Sequence, residues 1–309
     1  MGTFTWEQEF LNSVATFEKA GLSAREAERL LKEYIAISHK LSIPKILEFS
    51  DLHELKASPY LARDEKIHDL MISILGPLLS QFELQGKENF LKIIPYLKKT
   101  GVTIVSNHLS HFDAAVIYAL LQREADIRDI AGEIFFLAGR FVYLSSFSNV
   151  AARMFHASLV ASPRDISENI AIKRDLAKLN LRSFKETKVR QQNGQILVLY
   201  PEGTRSRSGE MARFHAGVMN YLQQTVVLPV SLVGPEEILQ SESFTFGLTS
   251  GRMHIQEPIF VGSRKKTIAE LASLHLEDFP QETRKQQVMD ELGKCVALSL
   301  PKKMQGVYG

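Results

Sequence analysis

The chain has 309 residues, of which 45% are hydrophobic, a formal net charge of +2 and a single cysteine. That length can bury a full core and exceeds the usual size of one domain, so two domains are expected. The near-neutral charge excludes the broad cationic footprint of a nucleic-acid binder, and one cysteine excludes an internal disulfide, as suits a reducing compartment.

The opening MGTFTWEQEFLNS is acidic and amphipathic, unlike the basic lead of a signal peptide or the Arg-rich character of a transit peptide. Thr5 with Gln8, and Ser23 with Glu26, have capping-box spacing, and each precedes a run with apolar positions three and four apart. Phe10, Val14 and Phe17 mark the first run, closed by Gly21; Leu30, Leu31, Tyr34, Ile35 and Ile37 mark the second. Asp64 can cap a third run, with Ile67, Leu70, Met71 and Ile74, that ends at Gly76-Pro77. These helices share one core most economically as a small N-terminal helical bundle over residues 1–76.

From Gly101 the texture changes to short β-rich runs alternating with helical stretches, within a second domain drawn over residues 77–309. This pattern predicts an α/β fold with a mixed, mostly parallel sheet flanked by helices. Strands are expected at 102–106, 134–138, 159–161, 196–199, 226–232 and 253–261. Helices are expected at 114–123, 148–155, 170–191 and 218–223, and again from Pro280. The lone Cys295, in the apolar-periodic stretch 288–300, reads as a buried small hydrophobe. Apolar runs such as 196–200 and 226–233 are far shorter than the roughly 20 residues needed to cross a bilayer. The expected location is therefore cytoplasmic or stroma-like, soluble or in peripheral contact with a membrane surface.

Two segments carry chemistry. The first, Ser106-Asn107-His108-Leu109-Ser110-His111-Phe112-Asp113, lies where a strand gives way to a helix, the place where open α/β sheets present functional groups. His108 and Asp113 are five apart, about 140° around an ideal helix, so only a loop-to-helix turn can pair them. Paired, Asp113 would accept the Nδ1 proton and leave Nε2 free as a general base. Read blandly, the same spacing is a helix N-cap aspartate beside a loop histidine. His111 has no nearby third ligand for a metal site and reads as a solvated or packing histidine. No metal and no cofactor is expected.

The second segment, Tyr200-Pro201-Glu202-Gly203-Thr204-Arg205-Ser206-Arg207-Ser208-Gly209, follows a strongly apolar strand. In an extended loop, Arg205 and Arg207 project to one side and can clamp a phosphate; alternatively they are two solvated arginines of a surface turn. Gly203 lets backbone come near a ligand, and Thr204 adds a hydroxyl. Arg164, after another strand, is either a further phosphate contact or a plain surface arginine. The cationic stretch Lys173, Arg174, Lys178, Arg182, Lys185, Lys188 and Arg190 has helical spacing, which suits a solvated amphipathic helix or attraction to anionic phospholipid.

Asn107-His108 with Asp113, followed by Glu202-Gly203-Thr204-Arg205-Ser206, resembles the two signature blocks of the glycerolipid acyltransferase superfamily. The likeness extends over about Val102 to Ile259, taking in Ala138-Gly139-Arg140 and Glu257-Pro258-Ile259. A helical region ahead of the catalytic segment further resembles the soluble plastid-type glycerol-3-phosphate 1-acyltransferases. The resemblance implies His108 and Asp113 as the catalytic pair. It implies Arg164, Glu202, Gly203, Thr204, Arg205 and Arg207 as contacts to the phosphate and glycerol. Acyl carrier protein or acyl-CoA would be the donor and glycerol-3-phosphate the acceptor, acylated at its sn-1 hydroxyl. Two features depart from the plastid pattern. Asp165 stands where a basic residue is expected, and the Glu-Gly-Thr-Arg form is closer to lysophosphatidate acyltransferases, which makes 1-acylglycerol-3-phosphate the alternative acceptor. A serine hydrolase reading lacks its Gly-x-Ser-x-Gly elbow anywhere in the chain. A non-catalytic lipid-surface module, with His108 incidental, is the rival of a different class.

Overall fold

A computed structural model describes residues 5–50, 52, 57–239 and 243–309; residues 1–4, the start of the amphipathic opening, lie outside them. The described strands are β1 (Tyr60–Leu61), β2 (Phe82–Gln85), β3 (Val102–Ser106), β4 (Ile134–Gly139), β5 (His156–Val160), β6 (Ile196–Leu199), β7 (Thr225–Val233), β8 (Gly251–Ile255), β9 (Ile259–Gly262) and β10 (Ala272–His275). Helices flank them, giving the α/β class with a mixed and mostly parallel strand arrangement.

The chain forms two compact units, one of Met1–Ser80, Ile134–Thr187 and Glu237–Thr249, the other of Gln81–Glu133, Lys188–Glu236 and Ser250–Gly309. In the first unit, β5 pairs parallel with β4 and antiparallel with β1. Its helices include Trp6–Leu11, Val14–Lys19, Ala24–Ser38 and Glu65–Leu78. The Thr5–Gln8 capping box is formed in both directions, and the Ser23 hydroxyl accepts the Glu26 N–H. The single first helix expected around Phe10, Val14 and Phe17 is instead two, broken at Asn12-Ser13. Ser13 is fully buried there and its hydroxyl accepts the Phe246 N–H at 2.8 Å, a bond that fixes the break. The third helix runs through Gly76-Pro77 to Leu78 rather than ending at them; Pro77 gives up one ladder hydrogen bond, and the helix stops one residue later.

The second unit positions the site. β3 lies between β6 and β7, parallel to both, with Val102 opposite Ile196 and Val226. The residues of β3 and β6 are buried throughout, as expected of apolar runs covered on both faces. β7 then pairs antiparallel with β9 near its start and with β8 near its end. This corrects the single strand expected at 253–261. Pro258 cannot donate to a ladder and biases Glu257 before it, so the chain breaks into β8 and β9. Pro229 of β7 sits at that break: its carbonyl accepts the Gln256 N–H, and its own missing N–H faces the gap between the two partners.

Smaller shifts follow from local chemistry. The strand expected at 159–161 is β5, three residues earlier, since Ser162 caps the next helix. The helix expected at 170–191 is a 3-10 turn Ile170–Ile172 followed by Lys173–Gln192, and that at 218–223 is Ala216–Val218 followed by Met219–Leu222. The C-terminal helix is Arg284–Ala297, which leaves Cys295 half-buried, its thiol raised chiefly by burial. Among the described residues no helix is long and apolar enough to cross a membrane.

Candidate active site

Because β3 and β6 are parallel neighbours in register, with Val105 opposite Leu199, their carboxyl ends leave the sheet side by side. The two chemistry-bearing segments, some ninety residues apart in sequence, therefore emerge together. Backbone bonds tie them: the Ser206 N–H donates to the His108 carbonyl at 2.8 Å. A buried side chain clips β3 to β7 as well, since the Asn107 amide donates to the Leu232 carbonyl at 3.0 Å and accepts the Leu232 N–H at 2.8 Å.

The helix Asp113–Arg123 starts at Asp113, whose carboxylate is wholly buried and turned back over the loop before it. It accepts from His108 Nδ1 at 2.7 Å, from the Leu109 N–H at 2.6 Å and from the Ser110 N–H at 3.0 Å. Asp113 thus binds groups ahead of its own helix and is not an N-cap. With Nδ1–H held by a carboxylate, the free imidazole nitrogen is Nε2, the tautomer a general base needs. The His108 side chain keeps 22% of its surface exposed, enough to meet a substrate.

The second segment opens with a tight turn. The Gly203 N–H donates to the Tyr200 carbonyl at 3.0 Å, with proline second and glycine fourth, the residue preferences of a type I turn. Gly203 has φ +70°, and a Cβ there would meet His215 Cδ2 at 3.1 Å, so glycine is required. Glu202, expected among the substrate contacts, points inward and is 1% exposed. One of its oxygens accepts the His108 N–H and the other the Ala212 N–H, each at 2.7 Å. Burial raises its carboxyl above the usual range, against the pull of those two donors. Gly203 and Thr204 are exposed.

Arg205 is partly buried and Arg207 exposed, and neither has an ion-pair or hydrogen-bond partner among the described residues. Desolvation lowers the Arg205 pKa, the negative charge of Asp113 opposes that shift, and the positive charge of Arg207 adds to it. The pKa of His111 falls to about 4, through burial first and then through the charges of Arg205 and His108. His111 nevertheless has an exposed outer edge. The imidazole–carboxylate pair thus adjoins a loop that carries two arginines, one of them close enough to feel the Asp113 charge.

Arg164 belongs to the other unit, on the helix Pro163–Glu168. It pairs with Glu168 at 2.6 Å, 68% exposed, and its guanidinium lies 4.6 Å from the centroid of the Phe141 ring. Asp165 beside it is fully buried and forms a capping box with Ser162, which explains an acid at that position: a base there could not cap the helix.

Sequence reasoning assigned no role to Tyr200. Its ring stacks on the His108 imidazole at 4.3 Å between centroids and 18° between planes. Its place directly before Pro-Glu-Gly, at the end of a strand adjacent to that carrying the histidine, was the available signal.

The family described as Acyltransferase matches residues 81–233, a span that contains both segments. This match supports membership of the glycerolipid acyltransferase superfamily. Among solved structures it is similar to the 1-acyl-sn-glycerophosphate (LPA) acyltransferase PlsC from Thermotoga maritima, at 21% identity and a TM-score of 0.43, over 74% of this chain and 75% of that one. No curated protein matches.

Proposed function

We infer that this acyltransferase moves a fatty acyl group from a thioester, on acyl carrier protein or coenzyme A, to a free hydroxyl of a glycerol phosphate. The observation that carries the reading is the buried Asp113 carboxylate on His108 Nδ1, beside a loop with two arginines that have no ion-pair partner among the described residues. Arg205 and Arg207 supply forked donors for a phosphate dianion, and a phosphate held there brings the rest of the acceptor to the imidazole. His108 Nε2 removes the hydroxyl proton as the oxygen attacks the thioester carbonyl. Collapse of the tetrahedral adduct breaks the C–S bond, and the imidazolium returns its proton to the departing thiolate. Base catalysis of this kind contributes roughly 10²–10⁴ in rate.

Backbone N–H groups near a strand-to-helix turn are natural partners for an oxyanion. The N–H groups of His108, Leu109, Ser110 and Phe112 are engaged internally, by Glu202, Asp113, Asp113 and the Ser110 hydroxyl. Stabilisation of the oxyanion therefore falls to donors outside this set. Glu202 acts through His108 as a positioning residue, holding its backbone rather than the substrate.

The Glu202-Gly203-Thr204-Arg205 form supports 1-acylglycerol-3-phosphate as the acceptor. The helical region ahead of residue 81 supports the second reading, glycerol-3-phosphate acylated at sn-1. Purified protein offered both acceptors with both donor types, with products read by mass, separates them. Thiol release without any ester product would replace the reading by a hydrolase, and normal turnover in a folded His108→Ala variant would remove His108 as the base.

A further inference from the structure

The geometry points to Tyr200 as a positioning residue whose aromatic face holds the His108 ring in plane and stabilises the imidazolium that forms during transfer. This rests on the reading of His108 as the base.

The ring planes are within 18° of parallel and their centroids 4.3 Å apart, a face-to-face contact rather than an edge contact. Such a stack allows His108 to slide but not to tilt, so the Nδ1 bond to Asp113 and the direction of Nε2 are held together. When Nε2 takes a proton, the ring becomes a cation lying over an electron-rich π face, well inside the range at which aromatic rings attract cations. Asp113 meets the same charge in the ring plane, at Nδ1. The developing cation is thus met from two perpendicular directions.

The position of Tyr200 is enforced from its own side. Its carbonyl accepts the Gly203 N–H in the turn, Pro201 restricts the backbone of Tyr200 before it, and β6 anchors the preceding residues. Its hydroxyl is buried and finds no hydrogen-bond partner among the described residues. Burial, and then the charge of Asp113, keeps that hydroxyl protonated, so it is no base. A hydroxyl with no partner brings no stabilisation that would explain a tyrosine here. The ring face accounts for the contact.

The test separates face from hydroxyl and from mere packing. Tyr200→Leu keeps an apolar side chain but removes the π face; kcat should fall roughly 3- to 30-fold, the span of a cation–π contact, with the acceptor KM within about twofold. Tyr200→Phe should rescue most of that loss. Should the leucine variant fail to fold, phenylalanine analogues with progressively more ring fluorines at position 200 keep the shape while draining the face, and kcat should fall stepwise with fluorination. A folded leucine variant with native kcat, a phenylalanine variant as slow as the leucine one, or a flat fluorine series would each overturn the assignment. A His108→Ala variant measured alongside tells that failure from failure of the base assignment, since its turnover does not depend on position 200 acting as described.

Discussion

Replacing Asp113 by asparagine removes one charge from the site while keeping its shape. The Asp113 oxygen that accepts from His108 also accepts from Leu109 and Ser110, at 2.7, 2.6 and 3.0 Å. An asparagine carbonyl in that place keeps these three bonds and sets its NH₂ 3.0 Å from the Ser110 N–H, whereas the opposite orientation would set NH₂ against the Leu109 N–H at 2.6 Å and the His108 Nδ1–H at 2.7 Å. The imidazole tautomer is therefore retained, and what is lost is the attraction between a carboxylate and the imidazolium formed in the transition state. With charge centres ~4 Å apart and an effective dielectric near 20, that attraction is about 4 kcal/mol. A 1.36 kcal/mol change is tenfold in rate, so kcat should fall by about 10³. The loss is expected in kcat and not in acceptor KM, because the charge forms only during reaction. Continuous thiol release at saturating acceptor measures it, with circular dichroism as the control for folding. A folded variant that loses less than about tenfold would refute the charge argument.

Other variants probe the rest of the site. Arg205→Ala and Arg207→Ala should each raise the acceptor KM, by roughly 10- to 100-fold for a lost charge-assisted bond, with Arg→Lys recovering only part because the forked geometry goes; unchanged KM in both, from initial rates, would remove the phosphate clamp. Glu202→Gln keeps one acceptor but turns an NH₂ toward the other backbone N–H, so denaturant melts should show about 2–4 kcal/mol less stability. A change indistinguishable from zero would mean that these bonds contribute nothing net. His111 has its folded pKa lowered from 6.5 to about 4. The unfolded chain therefore binds the proton first, and stability should fall as pH drops from 6.5 toward about 4, by less than the full shift implies, since part of the ring is solvated. His111→Asn should flatten that part of the stability profile; superimposable urea-melt profiles for the two proteins would contradict it.

Legibility differed between elements for physical reasons. β3, β6 and β7 were readable because continuous apolar runs covered on both faces leave few alternatives. The two-residue β1, the short β2 and β10 were not, since their partial burial produces no run and their pairing is set by partners far along the chain. The break at Ser13 was hidden for the same reason: it depends on Phe246, more than two hundred residues away. Pro258 was visible, and giving it more weight would have separated β8 from β9.

Within the site, residue types and local spacing alone determined which groups can do acid–base chemistry and which can hold an anion: a histidine, an aspartate five residues on, and two arginines on one loop. Tertiary structure decided what they do to each other. Whether Asp113 caps its helix or turns back to His108 depends on the fold of the intervening loop, and the inward turn of Glu202 depends on β3 and β6 being neighbours. The stack of Tyr200 on His108 likewise exists only because two parallel strands end together. Side-chain chemistry is a property of each residue and travels with the sequence, whereas hydrogen-bond partners and ring contacts are properties of pairs, brought together here by sheet order.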